Sequence, residues 1–585
     1  MALVGYGGAL AGASADGFNA TSAAVFKAAA GEPFKTPAVD LKAGLQKIRS
    51  TQWTSDYDFT MALTYLLFSV HDAHLAYLSD CYMVATFSQS VYLYAPVVNG
   101  AQSVKIFMAD YGDSNVPQQR FDNCIVTTID GLPALKAIQD YADRSSSTSK
   151  DPGVRLNEAL INHSWSQKWS LLPGTFATRW EVPAKAAMDY TIQCGSEAPL
   201  SFSVPWKVEP SDKFRFGQFT DAKSYWNTQC LASFSSTNEG SEEEGQVTLP
   251  PPVMLSKMRG TVTVPESPYN YHNYAAEDPN KNATVQATTQ TSTFYMLNGL
   301  PSASIPHKVC VAVIASETDL TTGNNPENTE YEAFAAGVFG LADQGCTKLI
   351  FDMTNNGGGS VDFAYFINQL FFQAEEPYFV LDMRSTPFVE KAATAAEGRP
   401  TVQSSFNAHG YVSLVTGAQH NDQSLFLAGV NYTRGGVTEK YSQKCHLSYN
   451  PLADSLKRTL PWKASDMAIV TNGNCAIHGV KTYAIGGIYN TPLSYFSFPG
   501  GFVKNNKEIV DDLNSIGFQS PDAPTQFPVK ATSTFTMGEV YALKDGTVPL
   551  EYDTQYFPAQ VHLDQDVLYL RQPDNVWFRV AADFV

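Results

Sequence analysis

Three stretches of the chain carry residues whose types and spacing could do chemistry. His71-Asp72-Ala73-His74 places two imidazoles three residues apart with a carboxylate between them. Such a pair could grip a metal, or deliver a general base into a cleft from the end of a helix. No third ligand is suggested nearby, so no metal is expected, and a structural histidine is the plain alternative. Asn355-Asn356-Gly357-Gly358-Gly359-Ser360 follows the apolar run Lys348–Met353 and precedes Phe363, Phe366, Ile367, Leu370 and Phe371 at helical spacing. A strand that feeds a helix through glycines bares backbone N–H groups where the aligned peptide dipoles favour negative charge. That turn could hold a phosphate, a carboxylate or an oxyanion, or it could be a tight connection with no ligand. Cys475 near His478 offers a thiol that an imidazole could activate, although a disulfide is the expected fate of a cysteine in an exported chain. Gly5–Gly12 has no strand before it, so its glycines make no dinucleotide site.

The elements that must position these groups can be read from periodicity. Leu41, Leu45 and Ile48 predict one helix. Ser55 or Asp56 caps a second, with a stripe of Phe59, Ala62, Leu63, Leu66, Leu67 and Val70 that runs out at the histidine pair. Short alternating runs (Val91 and Leu93, Val104 and Ile106, Ile125 to Ile129) and an Ile129-Asp130-Gly131 turn into a helix over Leu135–Tyr141 describe a small mixed domain. Ser235–Pro252 is polar, acidic and rich in proline, and reads as a solvated loop. A second α/β segment opens with the strand Val309–Ile314. A helix bearing Phe334, Val338 and Leu341 stops at Gly345, the glycine turn follows, and further strands lie at Met467–Thr471 and Thr482–Ile485.

Length and composition set bounds. At 585 residues the chain exceeds one core, and 44% hydrophobic residues can fill several. The formal charge of −18 excludes nucleic acid and anionic membrane as partners, because neither attracts an acidic surface. No apolar run approaches the roughly 20 residues needed to span a bilayer. Eight cysteines without a CxxC pair, and sequons at Asn19, Asn162, Asn282 and Asn431, lean towards a secreted protein with disulfides and N-linked glycans. Met1–Ala15 resembles a secretory signal without its basic start.

The order of these segments is itself informative. A helix ending in HDAH, an IDG turn, a strand followed by NNGGGS, and AIVTNGNC before KTYAIGG together resemble the tail-specific (C-terminal processing) serine peptidase family. The similarity is to the branch of the chlamydial protease-like activity factor and its secreted fungal relatives. It implies an α/β multidomain protein with a crotonase/ClpP-like core, an N-terminal helical segment and a PDZ-like domain. Its expected divisions are an N-terminal segment over 1–79, a PDZ-like domain over 80–200, an insertion over 201–305, the core over 306–505 and a C-terminal extension over 506–585. It implies no cofactor. By the same resemblance His74 is the general base, and Gly358 and Gly359 line the oxyanion hole.

The nucleophile departs from the pattern, because Ile477 stands where the family has its serine. The helix that would carry that serine is missing too: only Asn472–Val480 joins two strands whose parallel crossover ordinarily needs about a dozen residues. Either the elbow is deleted and the strands connect differently, or the sequence lacks a piece. The expected function is a secreted, inactive homologue that binds peptide or protein. An active serine endopeptidase and a structural extracellular assembly protein are the alternatives, and the sequence sets no oligomeric state.

Overall fold

A computed structural model describes residues 39–117, 121–166, 168–210, 219–232, 282–300, 307–317, 330–374, 379–434, 437–447, 451–472, 480–494, 501–524, 526–541, 545–547, 549, 558–565, 570 and 574–584. The expected acidic loop over Ser235–Pro252 and the signal-like start lie outside these residues.

Helix α1 (Leu41–Ser50) is capped by the Asp40 side chain and α2 (Asp56–Phe68) by Ser55. Each cap accepts a backbone N–H that has no partner inside its helix. The buried face of α2 is Thr60, Met61, Thr64, Leu67 and Phe68; of the expected stripe Leu67 and Val70 are buried and Leu63 and Leu66 pack against them, while Phe59 and Ala62 are only half-buried. The helix is apolar almost all round, so packing and not periodicity chose the face. Strand β1 (Ala76–Ser79) follows, then β2 (Val91–Tyr94), β3 (Lys105–Ala109), β4 (Ile125–Ile129), α3 (Ala134–Ser145), α4 (Pro152–Ala159), β5 (Ala187–Gln193) and β6 (Leu200–Pro205). Strands β6-β5-β4-β3-β2 form one antiparallel sheet, with α3 docked on it through Ile138 and Tyr141. Asp130 and Gly131 turn into α3 with φ of 50° and 81°.

The largest sheet comprises β7 (Ala283–Thr288), β8 (Ser292–Leu297) and β9 (Val309–Ile314), then α5 (Glu330–Asp343), β10 (Lys348–Asp352) and α6 (Val361–Phe371). After α6 come β11 (Val380–Met383), β12 (Tyr411–Ser413), β13 (Val430–Arg434), β14 (Val437–Tyr441) and β15 (Cys445–Leu447). The chain closes with β16 (Met467–Thr471), β17 (Lys481–Ile485), β18 (Gly501–Asn505), β19 (Ala531–Val540), β20 (Val561–Leu563) and α7 (Asp574–Phe584). Seven strands run in the order β7-β8-β9-β10-β16-β17-β20, the first three antiparallel and the rest parallel. Its strands are near-continuous apolar runs because both faces are covered. Val309, Val311, Ile350, Ala468 and Tyr483 pack with Trp577 of α7, while Cys310, Ala312, Leu349, Phe351 and Ile469 pack with Phe334 of α5 and Phe363 of α6.

This sheet begins at Ala283, where the hairpin β7–β8 completes its edge. The last residues join both sheets. Strand β19 pairs with β1 in a second sheet, β1-β19-β11-β15-β12, while β20 and α7 join the first. Three disulfides, Cys81–Cys230, Cys124–Cys194 and Cys310–Cys346, tie distant segments.

Candidate active site

In an open α/β sheet the carboxyl ends of the parallel strands are where loops converge and ligands sit. Here that edge is formed by Ser316 and Glu317 after β9, Met353–Gly359 after β10, Asn472 after β16 and Gly486–Gly487 after β17.

The glycine turn is built from its own side chains. The buried Asp352 carboxylate accepts the Thr354 N–H at 2.9 Å and Trp577 Nε1–H at 2.7 Å, so the root of the turn is pinned to α7. Burial holds its pKa above the ordinary carboxylate value against those bonds. Asn355 takes φ of 55°, a conformation that asparagine tolerates better than most residues. Its N–H donates to Asn472 Oδ1 at 2.9 Å, and Asn472 Nδ2 donates back to Asn355 Oδ1 at 2.8 Å. The Asn356 amide nitrogen donates to Ile314 O at 3.0 Å and Glu317 Oε1 at 2.9 Å, which aims its oxygen at the Gly358 N–H, 2.6 Å away. Gly358 has φ of 82°. A Cβ on Gly359 would stand 2.3 Å from the Glu317 carbonyl oxygen, so that strand end and the turn approach as closely as only glycine permits. Glu317 N–H donates to Gly358 O, and Ser360 N–H to Glu317 O. Ser360 then caps α6 by accepting the Asp362 N–H.

These contacts correct one expectation. Two free N–H groups were expected, but the Gly358 donor is taken by Asn356. The short polar side chain two residues back closes a turn of its own before any ligand arrives. Among the described residues Gly359 N–H has no hydrogen-bond partner, which leaves one donor at the head of the capped helix.

The histidines lie in a turn rather than on a helix, a second correction. Helix α2 ends at Phe68, and His71 has φ of 55°, which breaks helical spacing between the two rings. His71 Nδ1 lies 3.1 Å from Ser146 O, and burial with nearby Arg155 depresses its pKa to about 3. His74 is 4% exposed, its N–H donates to Asp72 Oδ1 at 2.9 Å, and its Nδ1 lies 3.7 Å from the same oxygen. Burial lowers its pKa and the Asp72 charge opposes that. A neutral imidazole beside a carboxylate is the protonation state that a general base requires. Among the described residues no cluster of three metal-ligating side chains exists.

Helix α4 links the two regions, a role that nothing in its sequence signals. Ser146, whose carbonyl meets His71, donates its hydroxyl to Glu158 Oε2 at 2.5 Å. The neighbouring Asn157 donates Nδ2 to Asn472 O at 3.0 Å and Ile485 O at 2.9 Å, and accepts Gly487 N–H at 2.6 Å. A mid-helix asparagine is an unremarkable surface residue by sequence. Here it is 2% exposed and fastens the ends of β16 and β17.

Those two strands are parallel neighbours, with Ala468 opposite Lys481 and Thr471 opposite Ala484. The expectation that nine residues could not return the chain to a parallel neighbour is therefore overturned. Strand β16 is about 16 Å long, and nine residues reach about 30 Å when extended, so a crossover needs no helix. Ile477, Cys475 and His478 lie outside the described residues. Cys445 is a buried thiol whose pKa is pushed well up by burial, so it offers no nucleophile.

No protein-family model matches the chain, and no curated protein matches it. Among solved structures it is similar to mature CPAF, the chlamydial protease-like activity factor, complexed with lactacystin. That likeness is at 12% identity and a TM-score of 0.46, over 93% of this chain and 91% of that one. It is similar at 9% identity to the photosystem II D1 C-terminal processing protease, with a TM-score of 0.26 over 91% and 92% of the two chains. A putative S41 protease from Bacteroides fragilis NCTC 9343 matches at 9% identity, with a TM-score of 0.28 over 87% and 86%. These three neighbours are a protease-like activity factor, a C-terminal processing protease and an S41 protease, in line with the tail-specific resemblance of the sequence.

Proposed function

We propose that this chain is a secreted, catalytically inactive relative of the tail-specific serine peptidases that works by holding peptide or protein segments. The observation that carries the reading is the parallel pairing of β16 with β17 across a connection of only nine residues. Only the nine residues Asn472–Val480 separate the two strands, too few to supply both the return to a parallel neighbour and a strand-to-helix elbow that would lift a hydroxyl towards a base. Ile477, at the family's serine position, has no group that could attack a carbonyl.

In this reading the seven-stranded sheet with its helices is the crotonase-like core, and β2–β6 with α3 is the PDZ-like domain. An extended peptide added to an open strand of that domain would gain backbone hydrogen bonds, the means by which such domains hold chain ends. The Gly359 N–H and the N-terminus of α6 would receive a carbonyl or carboxylate oxygen, with Gly358 held in reserve by Asn356. His74 retains the place and neutral state of the family's base but has nothing to deprotonate. Its position within about 10 Å of the glycine turn, the reach of a base through its reacting groups, is part of the proposal.

The test measures binding and turnover together. Fluorescence anisotropy of the full chain against a library of extended peptides should find ligands, and mass spectrometry should recover them intact after prolonged incubation. Cleavage that His74→Ala abolishes would overturn the reading in favour of an active enzyme.

A further inference from the structure

The four sequons do not stand equally in the fold. We infer that Asn282 and Asn431 carry N-linked glycans in the exported protein and that Asn162 stays bare. Asn162 opens the strand Asn162–Ser166 and is 3% exposed, between Ile161 at 1% and His163 at 2%. Its Oδ1 accepts the His163 N–H at 2.9 Å, and Ile161 is fixed on both sides, its N–H to Leu93 O and its carbonyl to Gln565 Nε2. A sugar joined to that amide nitrogen would have to occupy packed protein, so the folded chain excludes it. Asn282 is exposed at the head of β7, the edge strand of the seven-stranded sheet, and Asn431 is exposed on β13 of a two-stranded hairpin.

A second observation gives the two glycans something to do. Each accessible sequon stands beside an aliphatic side chain left in water: Val285, 43% exposed, on the same edge strand as Asn282, and Val430, 45% exposed, next to Asn431. An open edge strand with exposed apolar side chains is a template for pairing with another chain, and proteins blunt such edges. A bulky hydrophilic oligosaccharide at the head of β7 would do so. The transfer uses a lipid-pyrophosphate-linked oligosaccharide as donor. The bond between sugar C1 and the pyrophosphate oxygen breaks, and a bond from C1 to asparagine Nδ2 forms. The lipid pyrophosphate leaves and an amide proton is lost to base, with no change in oxidation state.

This inference rests on the exported reading and not on peptide binding, so the test supplies the export. The full chain is expressed behind a secretory signal in a eukaryotic host, and the secreted and retained fractions are digested with peptide-N-glycosidase F in ¹⁸O water. Peptide mapping should find labelled aspartate at 282 and 431 in the secreted fraction and none at 162. Label at 162 in secreted protein, or its absence from 282 or 431 in either fraction, overturns the assignment. Asn282→Gln should in addition raise the aggregated fraction, and Asn162→Gln should leave the glycan mass constant. Loss of one glycan's mass in Asn162→Gln overturns the assignment as well.

Discussion

Two exits from neighbouring strands of the same sheet have been treated differently. After β10 the chain makes a glycine turn, caps a helix with Ser360 and runs the length of α6. After β16, one strand over, only nine residues separate it from its parallel neighbour β17. The two exits even touch, through the reciprocal bonds of Asn355 and Asn472. The difference teaches that neighbouring strand exits of one sheet can be held by separate physics. The glycine turn is anchored by Asp352 to Trp577, by Glu317 to Asn356 and by a helix cap, all of which contribute to folding whether or not a carbonyl ever binds. A nucleophile elbow contributes mainly to chemistry, so in the proposed reading its loss would leave the sheet intact.

The comparison would break most completely if an attacker existed after all. A fluorophosphonate probe should label no serine of the full chain stoichiometrically, and His74→Ala should leave the background labelling unchanged. Labelling that the histidine variant removes would mean that the second exit still works.

On the first exit, Gly359→Ala should be severe, because the new Cβ would meet the Glu317 backbone at 2.3 Å. About 3 kcal/mol of stability, the upper end for overpacking, should appear as a shift in the urea midpoint. An unchanged midpoint would show the turn to be looser than described.

Glu317 gives that exit a pH dependence. Burial pushes its carboxyl up to about 7 from an ordinary 4.5, with the Asn356 bond opposing. A raised carboxylate pKa means the folded state holds the proton more tightly, so this contribution is full below about 4.5 and is lost as pH rises towards 7. Linkage at about 1.4 kcal/mol per unit makes the loss at most about 3 kcal/mol. Glu317→Gln should flatten stability across that window, and an equal slope in the variant would assign it elsewhere.

Asn472→Ala removes both bonds between the exits and should cost about 2 kcal/mol, near the middle of the range for stranded buried polar groups. Asn355→Ala keeps its own N–H donor to Asn472 and should cost less. Ser360→Ala, which removes only the cap of α6, should cost about 1 kcal/mol in the same urea series. An effect of Ser360→Ala larger than that of Asn472→Ala would reverse the order of importance between the helix and the link.

The sequence by itself determined the strands that are apolar on both faces. Val309–Ile314, Lys348–Asp352 and Met467–Thr471 sit where continuous apolar runs placed them, because desolvation of such runs is favourable in any fold that buries them. It also narrowed the cap of α2 to Ser55 or Asp56, a local hydrogen bond that Ser55 makes. Only the tertiary structure decided which face of α2 is buried, that the histidine pair unwinds into a turn, and that Asn356 closes half of the donor pair. It also decided that Asn157 of α4 fastens the ends of β16 and β17. Those outcomes depend on partners more than a hundred residues away or on a competition between nearby donors. A pattern along the chain records which groups must be satisfied, but not which distant atom will satisfy them.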